Sequence, residues 1–524
     1  MRALSTGADT IVSVLTRRST EQPSSPFMVF DDLDGRIHRR SYAEMATRAS
    51  LAAEVLARHG IGRGDRVLVH LPNCPEFFDV WFGAAWLGAV IVPTNPLLTA
   101  DELAYVVGHA GTTLSVTRSD LVATVRAASG SRRVLVTGEP PEGTESFEDE
   151  ISRATPAAPA GPAPSDVAAV LYTSGTTSRP KGVLVTHANY LHVGEVVAQH
   201  LRITPADRML IALPLFHANA QYYSTMSALV TGSSLIVMAR FSASRWAPIA
   251  RIHRATLASL FAAPIRMLLA QPRDENHAHN DLRAVVFSQN VSEAQLEEFE
   301  QRFACPLLQL YGMTETIAPP TLNPLYAPRR NMSIGRPTLG ARLRVVTEDG
   351  IDASNGEVGE LLVGGDPGTT LMAGYLGDED ATREALVDGW LHTGDNVRVD
   401  EDGYFHFVDR AKDMIKRAGE NVAASEIESA INDHPAIFES AVIGVPDAIR
   451  DEAIQAHVVA VGGTNLTEED LIQWCTSRLA SFKVPGSIFF VDELPRTSVG
   501  KIQKDKLRQN HVPEGGKVED SGTL

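Results

Sequence analysis

Leu171-Tyr-Thr-Ser-Gly-Thr-Thr-Ser-Arg-Pro-Lys-Gly-Val-Leu-Val-Thr-His187 decides how this chain is read. An apolar run, Val167 to Tyr172, leads in as a buried strand, and a second, Val183 to Val185, leaves as another. Five hydroxyl residues and two glycines lie in between, with Arg179 and Lys181 among them. Glycine lets backbone N–H groups approach an oxyanion, hydroxyls donate hydrogen bonds, and the cations supply charge. That is the chemistry of a loop gripping phosphate. It is not a Walker A loop, because Pro180 stands five residues after Gly175 and Gly182 follows Lys181 where Ser or Thr would be needed. A polar surface hairpin would use similar turn residues, but it requires neither flanks this strand-like nor this residue order.

The stretch resembles the phosphate-binding loop of the adenylate-forming superfamily: acyl-CoA synthetases, luciferases and the adenylation domains of peptide synthetases. Further motifs of that superfamily recur downstream in the expected order, so the resemblance spans about residues 10 to 508. Asn73-Cys-Pro-Glu-Phe77, Val286-Phe-Ser-Gln-Asn-Val-Ser292 and the segment from Asp409 to Val422 make the chain most similar to carnitine/crotonobetaine-CoA ligase-type enzymes. The resemblance implies that Thr173, Ser174, Gly175, Thr176, Thr177 and Lys181 bind ATP, with Thr176 also a ligand of Mg²⁺.

Composition sets the outer bounds. A chain of 524 residues is too long for one core and implies two or more domains. With 47 basic against 64 acidic residues, the net charge of −17 argues against nucleic acid or anionic membrane as a partner. Cys74, Cys305 and Cys475 lie far apart and suggest reduced thiols, with neither a disulfide framework nor a zinc site. No metal-ligand spacing appears among the 16 histidines. Met1 to Thr20 lacks the apolar stretch of a signal peptide, and the longest apolar run, Trp81 to Pro93, is too short to span a bilayer. A cytoplasmic protein is expected, with homo-oligomerisation left open.

Taken in order, Arg40 to His59 has helical spacing, with Tyr42, Met45, Ala49, Ala53 and Leu56 on one side. Arg66 to His70 follows as a strand, and alternation of strand and helix to about Arg126 argues for an α/β sheet with parallel pairs. Ala154 to Ser165, rich in Pro and Ala, is expected to be a surface loop. Met209 to His217 reads as a buried strand with a polar tip of His217, Asn219, Gln221 and Tyr222. A ligand pocket sits at such carboxyl ends in open α/β sheets. The polar tip thereby puts Gln221 at the expected pocket, and the resemblance implies a gate to the acyl pocket at Phe216 and His217, although a histidine simply satisfied at a strand end would look the same.

Leu282 to Phe287 reads as a strand and Glu293 to Phe303 as a helix. Most of the superfamily has a Gly-Gly-Ala-type turn between them, beside adenine and substrate; here Ser288, Gln289 and Asn290 stand there. Burying unpaired amides against an alkyl chain costs several kcal/mol or so, which favours a short or polar substrate. An ordinary helix cap with outward side chains fits the same residues. Tyr311-Gly-Met-Thr-Glu-Thr316 follows the strand Pro306 to Leu310. By resemblance Tyr311, Gly312 and Met313 border the nucleotide, Thr314 touches the α-phosphate and Glu315 holds Mg²⁺, an ion that needs hard oxygen ligands.

From Ile334 the chain changes to short strands and turns, over Arg342 to Thr347, Glu360 to Val363, Trp390 to Asp395 and Gly403 to Val408. Asp395 and Arg410 match the superfamily's ribose contacts, although an aspartate in a turn is also ordinary turn chemistry. By resemblance Lys412 is the hinge between domains, Lys416, Gly419 and Glu420 border the thiol tunnel, and Lys501 is the lysine that stabilises charge during adenylation. Ser425 to Ile431 reads as a helix, Ala441 to Gly444 and Ile454 to Val461 as strands, and Thr467 to Asp470 as the start of another helix.

The expectation is therefore an α/β protein. A large N-terminal domain, residues 1–411, has two α/β subdomains and a small β-rich subdomain over about 334–411. A mobile small α/β domain spans 412–510, and 511–524 form a disordered tail. The expected activity is ATP- and Mg²⁺-dependent adenylation of a small or polar acid, followed by transfer to the thiol of coenzyme A. Alternatives are adenylation of nitrite with an aromatic amine as acceptor, a free-standing enzyme that loads a carrier protein, and a nucleotide-binding scaffold without catalysis.

Overall fold

The alternation of strand and helix after residue 40 builds a parallel sheet. In a computed structural model Arg66–His70 pairs in parallel with Val90–Pro93 on one side and Leu114–Arg118 on the other, and Arg133–Thr137 extends the sheet. The structure describes residues 9–130, 132–173, 180–289, 291–326, 328–410, 413–417, 420–447, 451–496 and 502–509, with only the backbone of Arg410, Lys416, Glu420, Asn421 and Asp451. The chain divides into two compact units, Met1–Thr393 with Arg398–His406, and Gly394–Val397 with Phe407–Leu524.

The first unit contains two large sheets. In the eight-stranded one, Val167–Thr173 joins the parallel strands through Val90–Pro93 and then pairs antiparallel with Lys181–Thr186. The two apolar runs that flank the polar stretch are thus neighbouring antiparallel strands, with Thr173 paired to Lys181. Gly374–Tyr375 closes that edge, antiparallel to Lys181–Thr186. In the nine-stranded sheet, Leu307–Tyr311, Ala284–Ser288, Leu257–Phe261, Arg208–Ile211, Ser234–Met238 and Pro26–Asp31 run in parallel. The loops that follow Ile211, Ser288 and Tyr311 therefore leave from the same end of one sheet.

The helices are made by local rules. Tyr42–Arg58 starts at Ser41, whose hydroxyl accepts from Glu44 N–H while Glu44 reaches back. Pro75–Leu87 takes most of the apolar run that was too short for a membrane span, and Val90–Pro93 takes the rest as a strand. The two helices cross closely at Gly83, where a Cβ would lie 2.7 Å from that of Ala52. Trp81, Phe77, Phe78, Phe82 and Phe27 form an aromatic core beside them. Asp79 is buried there and paired with Arg40 and Arg48, which spares the charge an uncompensated desolvation.

Two expectations change. The strand read over Met209 to His217 ends at Ile211. The side chain of Asn73 takes over beyond that point: Nδ2 donates to the carbonyls of Leu213 at 3.1 Å and Met238 at 2.9 Å, and Oδ1 accepts from Leu215 N–H at 2.7 Å. Those bonds satisfy the backbone in an irregular path that Pro214 also favours over a ladder. The stretch read as β-rich, about 334–411, also carries a helix, Glu379–Ala385, and sends Gly374–Tyr375 into the eight-stranded sheet.

In the second unit Glu420–Ala423, Met414–Arg417, Asp451–Ala460 and Ile437–Asp447 form a sheet in that order, and Ser487–Phe490 adds to Asp451–Ala460 in parallel. Ala424–Asn432 and Glu468–Thr476 cover it, burying Ile427, Ile431, Leu471 and Cys475 against Val442, Ile454 and Val458. Among the described residues no helix is long and apolar enough to cross a membrane.

Two histidines of the first unit are buried neutral. Among the described residues His187 has no hydrogen-bond partner for either ring nitrogen, and His70 has one, Thr94 Oγ1 at 2.9 Å. Burial lowers both from 6.5 to about 4. The unfolded chain then takes up protons first as pH falls. Stability is fully present above pH 6.5, is lost progressively toward pH 4, and is level in this respect below it. Each histidine contributes a slope of at most about 1.4 kcal/mol per pH unit. Urea midpoints measured from pH 7.5 to 4.5 should fall accordingly, and His187→Gln should make the fall shallower. An unchanged slope in that variant would contradict the assignment.

Candidate active site

The carboxyl ends of the nine-stranded sheet gather several of the sequence-selected residues. Phe261 and Ser288 are register partners at the ends of neighbouring strands, and the Phe261 ring meets the His217 ring edge-on with centroids 5.5 Å apart. His217, Ser288 and Gln289 are thereby brought to one place, with Phe216 next to His217 on the same half-buried turn. Gln289 has a φ of 76°, left-handed backbone that glycine adopts freely and glutamine does not. A non-glycine residue held there by its surroundings marks a site with its own constraints.

A π-helix, Ala220–Met226, follows the His217 turn and is buried along its whole length. Such widened turns are rare and recur at functional sites. Gln221 lies within it, but its amide is engaged inside the protein: Nε2 donates to the Leu215 carbonyl at 2.7 Å and Oε1 accepts from the Tyr190 hydroxyl at 2.5 Å. Its role here is to brace the turn that carries Phe216 and His217. The same π-helix aims two tyrosines at the Tyr311–Thr316 segment. Tyr222 donates to the Thr314 carbonyl at 3.4 Å, and the Tyr223 hydroxyl sits 2.6 Å from where a Cβ on Gly312 would be. The segment turns back on itself through Thr316, whose Oγ1 accepts from Met313 N–H at 3.1 Å and donates to the Met313 carbonyl at 2.9 Å.

Glu315 is 6% exposed. Tyr375 donates its phenol to Glu315 Oε1 at 3.1 Å, and the Lys181 ammonium lies 4.8 Å from the centre of the same ring. Burial, and after it the Glu315 charge, hold the Tyr375 phenol well above its usual range, so it stays a donor. The hairpin that carries Lys181 is anchored around this point. Tyr105 donates to the Pro180 carbonyl at 3.0 Å, and Tyr172 shares a 2.7 Å hydrogen bond with His109. Thr186 and the buried Asn189 bond the carbonyls of Gly368, Thr369 and Leu371, at 2.6, 2.8 and 2.8 Å, fixing the loop that leads to Tyr375.

Among the sequence-selected residues, Ser174, Gly175, Thr176, Thr177, Asn290, Lys412, Gly419 and Lys501 lie outside the described residues. Thr173 pairs with Lys181 at the base of the hairpin, and Tyr311 ends the strand Leu307–Tyr311. In the second unit Asp395 is buried in the strand Trp390–Val399, and the backbone of Arg410 ends the strand Phe405–Arg410. Near it Asp409 accepts from Ser425 N–H at 3.1 Å, while Lys504 pairs with Glu428 at 2.8 Å and Arg508 with Asp413 at 2.7 Å. Lys416 and Glu420 stand opposite Asn421 and Arg417 on a two-stranded ladder.

The donor set suits a hard divalent cation. Glu315 is a buried carboxylate oriented by a neutral donor, and no cluster of three His, Cys, Asp or Glu occurs among the described residues. One carboxylate plus substrate phosphates and water is how Mg²⁺ is usually held, whereas a soft-ligand cage would exclude it.

Sequence reading placed Tyr222 at the polar tip but missed Tyr375, Tyr223 and Asn189. A Gly-Tyr pair after a polar loop was a faint signal for the first. The π-helix left none.

The AMP-binding enzyme family matches residues 15–376, and the AMP-binding enzyme C-terminal domain matches residues 426–501. A crotonobetaine/carnitine–CoA ligase of Salmonella agona (strain SL483) is 37% identical over 492 residues, covering 92% of this chain and 95% of that protein. The crystal structure of ATP-bound MatB from Rhodopseudomonas palustris superposes with a TM-score of 0.86 at 29% identity, over 95% of this chain and 98% of that one. A benzoate CoA ligase from Burkholderia xenovorans LB400 gives 0.86 at 27% identity, over 95% and 100%. With its family match over both segments and relatives along nearly its whole length, this chain belongs to the AMP-binding enzyme family.

Proposed function

We propose that the chain is an ATP-dependent, AMP-forming ligase that joins a small or polar carboxylic acid to the thiol of coenzyme A, acting in the cytoplasm. The observation that carries this reading is the contact of Tyr375 with both Lys181 and Glu315. It joins the phosphate-loop hairpin to the Tyr311–Thr316 segment at the open end of the sheet. Relatives named as CoA ligases, aligned over nearly the full chain, support the thiol acceptor.

In the first half-reaction a substrate carboxylate oxygen attacks the α-phosphorus of ATP, the bond to pyrophosphate breaks, and an acyl adenylate forms. Thr173, Ser174, Gly175, Thr176, Thr177 and Lys181 hold the triphosphate, Thr314 meets the α-phosphate, and Asp395 with Arg410 holds the ribose. Tyr311, Gly312, Met313, Ser288, Gln289 and Asn290 border the nucleotide. Glu315 and Thr176 would hold Mg²⁺, which when bound would supply neutralisation of the phosphate charge. Lys501 places its ammonium beside the reacting centre. In the second half-reaction the thiol sulfur attacks the acyl carbon and AMP leaves. A rotation about Lys412 would withdraw Lys501 and present Lys416, Gly419 and Glu420 to the incoming thiol. Phe216, His217, Ser288, Gln289 and Asn290 shape the acid pocket, with Gln221 behind it. Polar groups at that wall select for short or polar acids, because an alkyl chain would leave them unpaired.

The test is a pyrophosphate-release panel from acetate and nitrite through hydroxylated and aromatic acids to palmitate, with and without coenzyme A. The expected result is fastest release with a short or polar acid, and a thioester product only when coenzyme A is present. Fastest turnover with palmitate would refute the substrate class. A nitrite-dependent product formed equally well without coenzyme A would refute the acceptor.

A further inference from the structure

We infer that Tyr375 is a positioning residue for the metal–nucleotide complex: its hydroxyl sets the Glu315 carboxylate and its ring face sets the Lys181 ammonium. The inference deepens the ligase reading and rests on it for the roles of those two charges.

The phenol lies 3.1 Å from Glu315 Oε1, and the ring centre lies 4.8 Å from Lys181 Nζ. The ammonium distance is within cation–π range, and a hydrogen bond to an ionised acceptor is among the stronger ones a neutral donor makes. One rigid side chain thus fixes two opposite charges that come from segments far apart in sequence. Being neutral, it fixes them without cancelling either. Direct pairing of Lys181 with Glu315 would have neutralised the carboxylate that a divalent cation needs and the ammonium that a phosphate needs.

Tyr375 is itself held firmly. Its residue pairs with Val183 in the sheet, and its N–H donates to Thr382 Oγ1 at 2.9 Å. Thr382 Cγ2 would lie only 3.1 Å from a Cβ on Gly374, so the preceding residue must be small for this approach. Met372 N–H donates to the Glu315 carbonyl at 3.0 Å, which ties the backbone of the two segments together three residues earlier. The hydroxyl is therefore not needed to hold the loop in place, and its effect can be separated from that of the fold.

The experiment compares the unmodified protein with Tyr375→Phe and Tyr375→Leu. Mn²⁺ affinity is measured by electron paramagnetic resonance in the presence of α,β-methylene-ATP, an analogue that cannot release pyrophosphate. Tyr375→Phe keeps the ring and loses the hydroxyl. Its Mn²⁺ dissociation constant should rise by about 10-fold, the scale of one hydrogen bond to a charged acceptor, while analogue affinity at saturating Mn²⁺ stays within about two-fold. Tyr375→Leu should weaken both. In turnover the Mg²⁺ concentration for half-maximal pyrophosphate release should shift with the Mn²⁺ constant. Melting temperatures of Tyr375→Phe and the unmodified protein should agree closely. Unchanged Mn²⁺ affinity in Tyr375→Phe, or a lowered melting temperature as its only effect, would overturn the inference. If the Mn²⁺ shift appears but no acid supports pyrophosphate release, the inference stands and the ligase reading falls. If the unmodified protein binds no Mn²⁺–analogue complex, both fall.

Discussion

Lys501→Ala is expected to slow adenylate formation by roughly 10²–10³-fold, the scale of removing one preorganised charge stabiliser from a site where negative charge develops. Five equatorial and axial oxygens crowd the α-phosphorus as the acid attacks, and a fixed ammonium beside them is worth far more than one solvated at the surface. The second half-reaction places its charge on a thioester tetrahedral centre and needs no such cation. Thioester formation from a supplied acyl adenylate should therefore change little. Single-turnover measurement of the two halves separates these outcomes. Equal loss in both would refute a role confined to adenylation, and with it the proposed rotation about Lys412.

The second large effect concerns Gly312. A methyl group there would sit 2.6 Å from the Tyr223 hydroxyl, closer than any real carbon contact, and Tyr223 is buried in the π-helix. Forcing the pair apart costs about 1–3 kcal/mol, as overpacking generally does. Because the strain falls on the segment that carries Thr314 and Glu315, Gly312→Ala should lower kcat/KM for pyrophosphate release by roughly 10- to 100-fold. Removing the hydroxyl relieves the collision. The double variant Gly312→Ala with Tyr223→Phe should recover much of the loss, while Tyr223→Phe alone changes little. A double-mutant cycle with no coupling would show that Gly312 is small for another reason, such as the approach of a ligand.

Elements set by neighbours in sequence were legible in sequence. Thr467 and Asp470 form a capping box at the start of Glu468–Thr476, and Ser292 with Gln295 caps Glu293–Phe303, whose bounds match the sequence reading. Parallel strands around Arg66–His70 followed from apolar runs between helices. What was not legible depends on distant partners. Beyond Ile211, where the strand from Arg208 stops, a side chain 140 residues upstream in sequence takes the Leu213 carbonyl. Tyr375 meets Glu315 across 60 residues and pairs with a strand still further away. Gln221 looked like a pocket residue because polar residues clustered after an apolar run, but its bonds to Tyr190 and Leu215 turn it inward. A widened helical turn has no periodic signature at all, since one extra residue shifts the pattern without breaking it.

That extra residue has an evolutionary corollary. An α-helix advances about 100° per residue, so excising a single codon from Ala220–Met226 would tighten the turn and swing one flank round by about that angle. A different side chain would then face Gly312, and Gln221 would lose its place beneath the His217 turn. A length polymorphism of one residue would thus change which side chains face Gly312 and the Thr314 carbonyl. Paralogues that accept different acids are expected to differ here by insertion or deletion as often as by substitution.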